Sequence, residues 1–396
     1  MWALELVFTR RYDQREQGRA DPADRRKRFD ALGLARYAAS WHVVMYHFAR
    51  PGALTPRHAL PAPWEAFAAW GALAAPWFFA VSGFGHTYSK LTGPRADLAE
   101  DWLHGAIRRV LPWYPMFAFG LVCCAIQAAS AKAQDWSEFL AAGLLVRGFI
   151  WRGDGFPFML GDWSLCYLAG YLVLFTPMYN ALLTATNSVV WLLMSIAVAL
   201  SVPVAMMEWI FRAHVTGWEV VTYWPSFVFG QALAAWFVRA CMAQRITSDG
   251  SQKAYMLRDT VEIPALARFG ATIGALILGV LFFTCSPDMA LPLLRMPCSA
   301  FALKGGLLPV LGLVIVGLAS EADPIAKLLK RGFLPRLGRL AFANFVLQVP
   351  VHRLTRSLTG KNGSWAAFVV LLFLASVLGC VCVDAPWRAF LERRRR

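Results

Sequence analysis

Two ionisable side chains, Arg36 and His47, stand eleven residues apart in a stretch that otherwise has the composition of a membrane span. At about 100° per residue, eleven residues make three turns plus roughly 20°, so both side chains lie on one helix face, about 16 Å apart. An ionisable group within a span is costly and usually faces the bundle interior or a water-filled cavity. The pair therefore predicts a polar cavity along the first span. His42, roughly 140° around the helix from His47, is assigned no functional role.

Other polar groups lie near the ends of later apolar stretches. Ser82 precedes Gly83, a pair that lets a neighbouring helix or a ligand approach the backbone, although ordinary helix packing explains it equally well. Arg108 and Arg109 precede Pro112 and would form a positive entrance for a phosphate-bearing ligand, because guanidinium binds phosphate through two hydrogen bonds. Simple anchoring of basic residues in the cytoplasm is the alternative for both arginines.

Three more side chains are candidates for polar contacts inside spans. Asn344 and Gln348 stand one helical turn apart and are predicted to cross-link helices by hydrogen bonds. Trp163 begins another apolar stretch, directly before Ser164. These residues are candidate site components of lower rank than Arg36 and His47.

The composition places the chain in a membrane. It has 396 residues, of which 58% are hydrophobic and only 16% charged, so a soluble globular protein is excluded. The net charge of +15 does not indicate nucleic acid, because the basic residues cluster between the apolar stretches and at both ends. No cysteine spacing suggests a metal site. Cys285 and Cys298 flank one short loop and could pair on an oxidising side.

The apolar stretches predict an all-α, polytopic membrane protein with about ten transmembrane helices. The region 138–150 is apolar but short, and is predicted to form a re-entrant or interfacial helix. No soluble domain is indicated, and the longest hydrophilic stretch between spans, 241–264, is predicted to be a cytoplasmic loop. The ten predicted spans are 31–49, 66–88, 108–128, 163–183, 189–207, 221–240, 266–284, 300–320, 338–357 and 365–385.

The basic residues predict which side the loops face. With the N-terminus in the cytoplasm, 27 of the 39 Lys and Arg residues fall in cytoplasmic loops and ends, as the positive-inside rule expects. Both termini are therefore predicted to be cytoplasmic. The predicted organisation is a basic arm at 1–28, a transmembrane domain at 29–390, and a basic tail at 391–396 against anionic lipid headgroups.

Taken together and in order, several short segments resemble the acyltransferase 3 family of integral membrane acyltransferases. The resemblance runs from about residue 29 to 390, nearly the whole chain, and it rests on the order and spacing of short motifs. The matching segments are Arg36 with His47, Phe78-Phe79 with Ser82-Gly83-Phe84, Arg109 with Pro112, Trp163-Ser164-Leu165, Phe227 with Gly230, and Asp384 with Pro386.

The chain departs from the family pattern at three polar positions. An acidic residue is missing from the segment Gly33-Leu34-Ala35-Arg36 that begins the first span. Leu168 stands where the family usually has glutamate, and Gln348 where it usually has histidine. Glutamine forms hydrogen bonds but does not transfer a proton at neutral pH. His352, one turn beyond Gln348, is a weak substitute.

The resemblance implies transfer of an acyl group, most often acetyl, from acyl-CoA as co-substrate to a hydroxyl, often on a carbohydrate. No bound cofactor is expected. His47 would be the general base, since imidazole titrates near working pH. Arg36, helped by Arg108 and Arg109, would bind the phosphates or the chain of CoA three turns nearer the cytoplasm, with Ser82 beside the donor.

Two alternatives remain. A small-molecule or lipid transporter would also have about ten spans with a few buried polar groups, but it gives no reason for the shared face of Arg36 and His47. A catalytically inactive relative, which keeps the fold to bind a partner or lipid, is favoured by Leu168 and Gln348. Acyl transfer that depends on His47 would separate the enzyme from both.

Overall fold

The computed structural model is a bundle of α-helices built from the apolar stretches of the sequence. Helix dominates because a backbone in lipid must satisfy its own hydrogen bonds within each segment. The residues that the structure describes are 29–49, 62–93, 102–129, 136–150, 162–211, 218–246, 253–257, 263–285, 289–291, 296–359 and 364–395.

The helices of the first half of the chain include two bent pairs, α4 with α5 and α8 with α9. They are α1 (Asp30–Phe48), α2 (Ala62–Ala69), α3 (Ala74–Leu91), α4 (Trp102–Val110), α5 (Tyr114–Ala129), α6 (Trp136–Gly143), α7 (Arg147–Ile150), α8 (Asp162–Val173), α9 (Phe175–Thr184), α10 (Asn187–Phe211) and α11 (Trp218–Cys241).

The second half adds two short antiparallel strand pairs to the helices. Its elements are β1 (Met242–Ile246), β2 (Lys253–Leu257), α12 (Ala265–Thr284), β3 (Ala290–Leu291), β4 (Met296–Pro297), α13 (Cys298–Phe301), α14 (Leu308–Ser320), α15 (Pro324–Leu329), α16 (Leu334–Leu337), α17 (Ala341–Thr359), α18 (Trp365–Gly379) and α19 (Ala385–Arg395).

The positions of the predicted spans agree with the helices, but their number is not confirmed. Each predicted span overlaps a helix or a run of consecutive helices. Within the described residues, length and hydropathy identify three helices able to cross a membrane, and five if each bent pair counts as one span. Ten spans therefore stay a prediction, as do the cytoplasmic termini and the domain boundaries. The basic arm 1–28 lies outside the described residues.

The region 138–150 lies in two helices too short to cross a membrane, α6 and α7, where the sequence predicts one short helix. Its re-entrant or interfacial position stays a prediction. The two helices are joined by a turn with Leu145 at a φ of 59°, a left-handed conformation that few non-glycine residues adopt. Arg147, only 4% exposed, lies 3.6 Å from the carboxylate of Glu138 and ties the two helices together. The segment 241–264, predicted only as a cytoplasmic loop, contains the paired strands β1 and β2. The side of the membrane that it faces stays a prediction.

Helices α3 and α11 pack backbone to backbone, and two glycines make this possible. A Cβ atom on Gly230 would lie 1.9 Å from the carbonyl oxygen of Ala80, and one on Gly83 would lie 2.2 Å from that of Phe227. Each glycine therefore faces the backbone of the other helix. The Ser82-Gly83 and Phe227-to-Gly230 segments accordingly form one interface, which fixes α3 beside α11.

Candidate functional site

Helix α1 carries both Arg36 and His47 without interruption, so the eleven-residue spacing places them on one face. Arg36 lies in its second turn and His47 in its last. Ser40 lies between them on this face and accepts a hydrogen bond from Asn344 of α17, with 3.0 Å between Nδ2 and Oγ. The predicted cross-link by Asn344 is therefore present, and it holds the centre of the Arg36–His47 face against α17.

Arg36 has the surroundings of a residue that lines a cavity. The Arg36 side chain is accessible to solvent, although it lies deep among the surrounding helices. Within the described residues Arg36 forms no hydrogen bond or ion pair, and the charge that acts on it is another cation, Arg388 of α19. An unpaired guanidinium at this depth favours an anionic ligand, because its charge is otherwise uncompensated.

His86 and Arg109 join Arg36 to form what we term the basic cluster. The Arg109 guanidinium carbon lies 4.1 Å from the centre of the Phe175 ring, and the His86 ring lies 6.1 Å from the same ring. Arg36 and Arg109 are both close enough to His86 to act on its charge. Helices α3 and α4 therefore bring His86 and Arg109 together beside Phe175 of α9, and Arg36 of α1 lies close to His86.

Sequence reasoning missed His86, and it did not separate Arg108 from Arg109. His86 follows Ser82 by one helical turn, so the two share a face of α3, and this was the available signal. Arg108 is exposed and Arg109 half-buried. The described contacts bring Arg109 to Phe175.

The face of α3 that carries Ser82 and His86 borders open space. Both side chains are half-buried. A Cβ atom added to Gly85, which lies between them, would meet no atom within 4 Å. Ser82 thus lies at the edge of the same face as His86, while its neighbour Gly83 packs against α11.

At the other end of α1, rings of α17 and α18 pack on Phe48, the residue after His47. Phe48 lies 4.4 Å from the ring of His352 and 5.2 Å from that of Phe368. His47 itself is half-buried in the last turn of α1. His352 is only 7% exposed, so the weak substitute for the missing family histidine is packed between phenylalanine rings.

Helices α1 and α17 run parallel in constant register. The contacts of Ser40 with Asn344 and of Phe48 with His352 both join residues 304 positions apart. Gln348 lies between these levels, and its amide nitrogen donates to the carbonyl of Phe345 in its own helix, 2.9 Å away. The prediction that Gln348 cross-links helices therefore finds no support in the described contacts.

A row of buried polar atoms follows this interface. Within the described residues, Asn344 Oδ1, Gln348 Oε1 and His352 Nε2 have no hydrogen-bond partner. They recur at every fourth residue of α17 and so lie along one face of it. The row connects the level of Ser40 with the level of His47.

Trp163 and Leu168 belong to an aromatic cluster rather than to the basic cluster. The Trp163 ring lies 5.5 Å from Tyr167 and 5.4 Å from Tyr223. Leu168 packs on the same group of rings. The position where the family usually has glutamate is therefore lined by aromatic side chains in this chain.

The cysteines form no disulfide, since Cys285 and Cys298 are both free thiols in the structure. Burial raises the pKa of the Cys298 thiol, which lowers the fraction of reactive thiolate. Within the described residues, no group of three His, Cys, Asp or Glu side chains is placed to hold a metal ion.

We expect the Ser40–Asn344 hydrogen bond to contribute modestly to stability. In a cycle of Ser40→Ala, Asn344→Ala and the double variant, the coupling free energy should be about 0.5–1.5 kcal/mol, the range for buried hydrogen bonds between membrane helices. Thermal unfolding in detergent measures it. Strictly additive single effects would mean that the two side chains do not interact.

A comparison with protein families agrees with the motifs. A family model described as an acyltransferase domain matches residues 29–385, nearly the whole chain. Searches of curated proteins and of solved structures give no match.

Proposed function

The chain belongs to the acyltransferase 3 family, and we propose that it transfers an acetyl group from acetyl-CoA to a hydroxyl of a carbohydrate or other small acceptor. Family membership and the apolar helices support membrane acyltransferase activity in general. The proposal goes further and specifies acetyl-CoA as the donor, acetyl as the transferred group, a hydroxyl as the acceptor and His47 as the base.

The observation that carries the proposal is the state of Arg36. It is exposed deep in the bundle, and it has no acidic partner within the described residues. Arg109, on another helix, adds a second positive charge next to His86. Phosphate groups suit such a site, because guanidinium groups bind phosphate oxygens in pairs and are weakly hydrated. The nucleotide end of acetyl-CoA would supply these phosphates from the cytoplasm.

The length of α1 suits the shape of the donor. Arg36 and His47 are separated by about 16 Å along one helix face, and the pantetheine arm of CoA is a long, thin chain. With the phosphates at the basic cluster, the arm would extend towards His47 and bring the thioester there. Ser82, on the face of α3 that borders open space, would lie beside the donor.

At the His47 end, the reaction needs a base for the acceptor hydroxyl. As the acceptor oxygen attacks the thioester carbonyl carbon, His47 would take the hydroxyl proton. The new C–O bond forms, the C–S bond breaks, and the CoA thiolate leaves. The imidazolium of His47 then returns its proton to the thiolate, so that an ester, free CoA and neutral His47 result.

An inactive relative is the second candidate, and specific observations favour it. Leu168 stands among aromatic rings, and Gln348, which cannot act as a base, replaces the usual histidine. In this alternative the basic cluster would bind an anion without chemistry at His47.

The experiment that tests the proposal uses acetyl-CoA labelled separately in its acetyl and nucleotide parts. Membranes with the overproduced protein should move acetyl label into a membrane or carbohydrate acceptor, while nucleotide label stays soluble and one thiol appears per acetyl transferred. Both labels crossing sealed vesicles together would indicate a transporter. Donor binding without thiol release or acetyl transfer would indicate the inactive relative.

A further inference from the structure

The C-terminal helix α19 is held beside the basic cluster by contacts on two sides. The indole nitrogen of Trp387 donates to the carbonyl of Leu111, 2.7 Å away, only two residues after Arg109. On the other side, the Cys380 thiol lies 3.5 Å from the carbonyl of Arg339. Arg339 belongs to the short turn Gly338–Leu340, which packs on the start of α1. The start of α19 therefore lies between the helices that carry Arg109 and Arg36.

The turn that contains Arg339 is closely packed on α1. A Cβ atom on Gly338 would lie 2.6 Å from the backbone carbon of Gly33, three residues before Arg36. This approach leaves no room for a side chain at position 338, so the turn and α1 are in direct backbone contact. Through Cys380, the π-helical turn Cys380–Asp384 that precedes α19 is attached to the same place.

Asp384 orients Arg388 at this position. The Arg388 Nε atom donates to Asp384 Oδ2 at 2.8 Å, one helical turn away. Within the described residues this is the one hydrogen bond of Arg388, and 57% of its side chain is exposed. Using Nε for Asp384 leaves the two terminal nitrogens of the guanidinium for a ligand.

An exposed ion pair of this kind contributes little to stability, so its main effect is on orientation. It holds Arg388 where its charge acts on Arg36, and two guanidinium groups that repel each other in the free protein would both gain from an anion between them. Asp384 also belongs to the last of the segments that match the family, Asp384 with Pro386. The proposed function assigns no role to this segment.

We infer that Arg388, positioned by Asp384, is a phosphate-binding residue that completes the basic cluster together with Arg36. The inference rests on the proposed function for its ligand, the phosphates of CoA. The C-terminal helix is then part of the donor site, and Asp384 is a positioning residue.

The test compares CoA binding by Arg388→Ala, Asp384→Asn and Arg394→Ala, measured by calorimetry on the purified full chain in lipid-free detergent. Arg394 is the matched control, because it lies on the same helix with its guanidinium over Phe390, 4.9 Å from the ring centre. We expect the dissociation constant to rise about tenfold for Arg388→Ala, the loss of one charged phosphate contact. Asp384→Asn should raise it about threefold, and Arg394→Ala should leave it within twofold of the wild type.

The outcomes separate the inference from the proposed function. Unchanged CoA affinity in Arg388→Ala, with CoA still bound by the wild type, overturns the inference and leaves the function standing. If the wild type binds no CoA, the proposed function is wrong, and the binding of inorganic pyrophosphate then tests the role of Arg388. Weaker pyrophosphate binding by Arg388→Ala than by the wild type supports a phosphate site. Equal pyrophosphate binding by the two proteins overturns the inference.

A lipid phosphate is the other source of the same chemistry. In nanodiscs that contain phosphatidylglycerol, native mass spectrometry counts the lipids that remain bound. Loss of bound lipid in Arg388→Ala without any change in CoA or pyrophosphate binding would make Arg388 a lipid anchor and overturn the inference.

Discussion

Replacing His47 with alanine is expected to lower the rate of acetyl transfer by about 10²–10⁴-fold, the usual contribution of a general base. His47 lies in the last turn of α1 and is half-buried, so its replacement removes the proton acceptor without opening a large cavity. The measurement is thiol release at saturating acetyl-CoA in membranes that contain the overproduced protein at matched levels, because the membranes supply the acceptor.

Two further variants make this result specific. His47→Gln keeps hydrogen bonding but cannot accept the proton at neutral pH, so it should be as slow as the alanine variant; recovery of activity with glutamine would indicate a structural role instead. His104→Ala is the matched control, because His104 is exposed on α4, and its activity should equal that of the wild type.

Replacing Gly230 with alanine is expected to destabilise the bundle by about 3 kcal/mol or more, the upper range for overpacked sites. The new methyl group would lie 1.9 Å from the carbonyl oxygen and 2.7 Å from the carbonyl carbon of Ala80. Backbone atoms cannot rotate aside as a side chain does, so α3 and α11 must separate. Because α3 carries Ser82 and His86, activity should fall with stability.

The control for this prediction is Gly279→Ala on α12, where an added Cβ atom meets nothing within 4 Å. Alanine favours a helix interior over glycine by up to about 1 kcal/mol, so this variant should be as stable as the wild type or slightly more so. A thiol-reactive dye whose signal rises as the buried cysteines, Cys241 among them, become exposed measures unfolding on heating. Equal melting temperatures for Gly230→Ala and the wild type would contradict the packing described for α3 and α11.

The sequence was sufficient to predict the features that are local to one segment. Arg36 and His47 share a face because their spacing is close to a whole number of turns, and the apolar stretches locate the helices. Pairing of β1 with β2 was not predicted, because the segment 241–264 is mostly polar and lacks the long apolar stretches on which the predicted spans depend.

Features that depend on several helices could not be predicted in this way. The residues next to His86 in the sequence do not indicate a site. Its charged neighbours, Arg36 and Arg109, come from other helices. The difference between Arg108 and Arg109 depends on the rotation of α4, which is set by packing rather than by charge. Likewise, Arg388 is more than 300 residues from Arg36, and only the contacts of Trp387 and Cys380 place it nearby.

The central claim is that two residues of α1 have separate functions: Arg36 binds the donor and His47 transfers the proton. The most direct test measures CoA affinity and turnover on both Arg36→Ala and His47→Ala. We predict that Arg36→Ala weakens CoA binding about tenfold, whereas His47→Ala leaves affinity within twofold of the wild type and lowers turnover at least about a hundredfold. Turnover by His47→Ala near that of the wild type, or CoA affinity that falls with His47 and not with Arg36, would contradict the account.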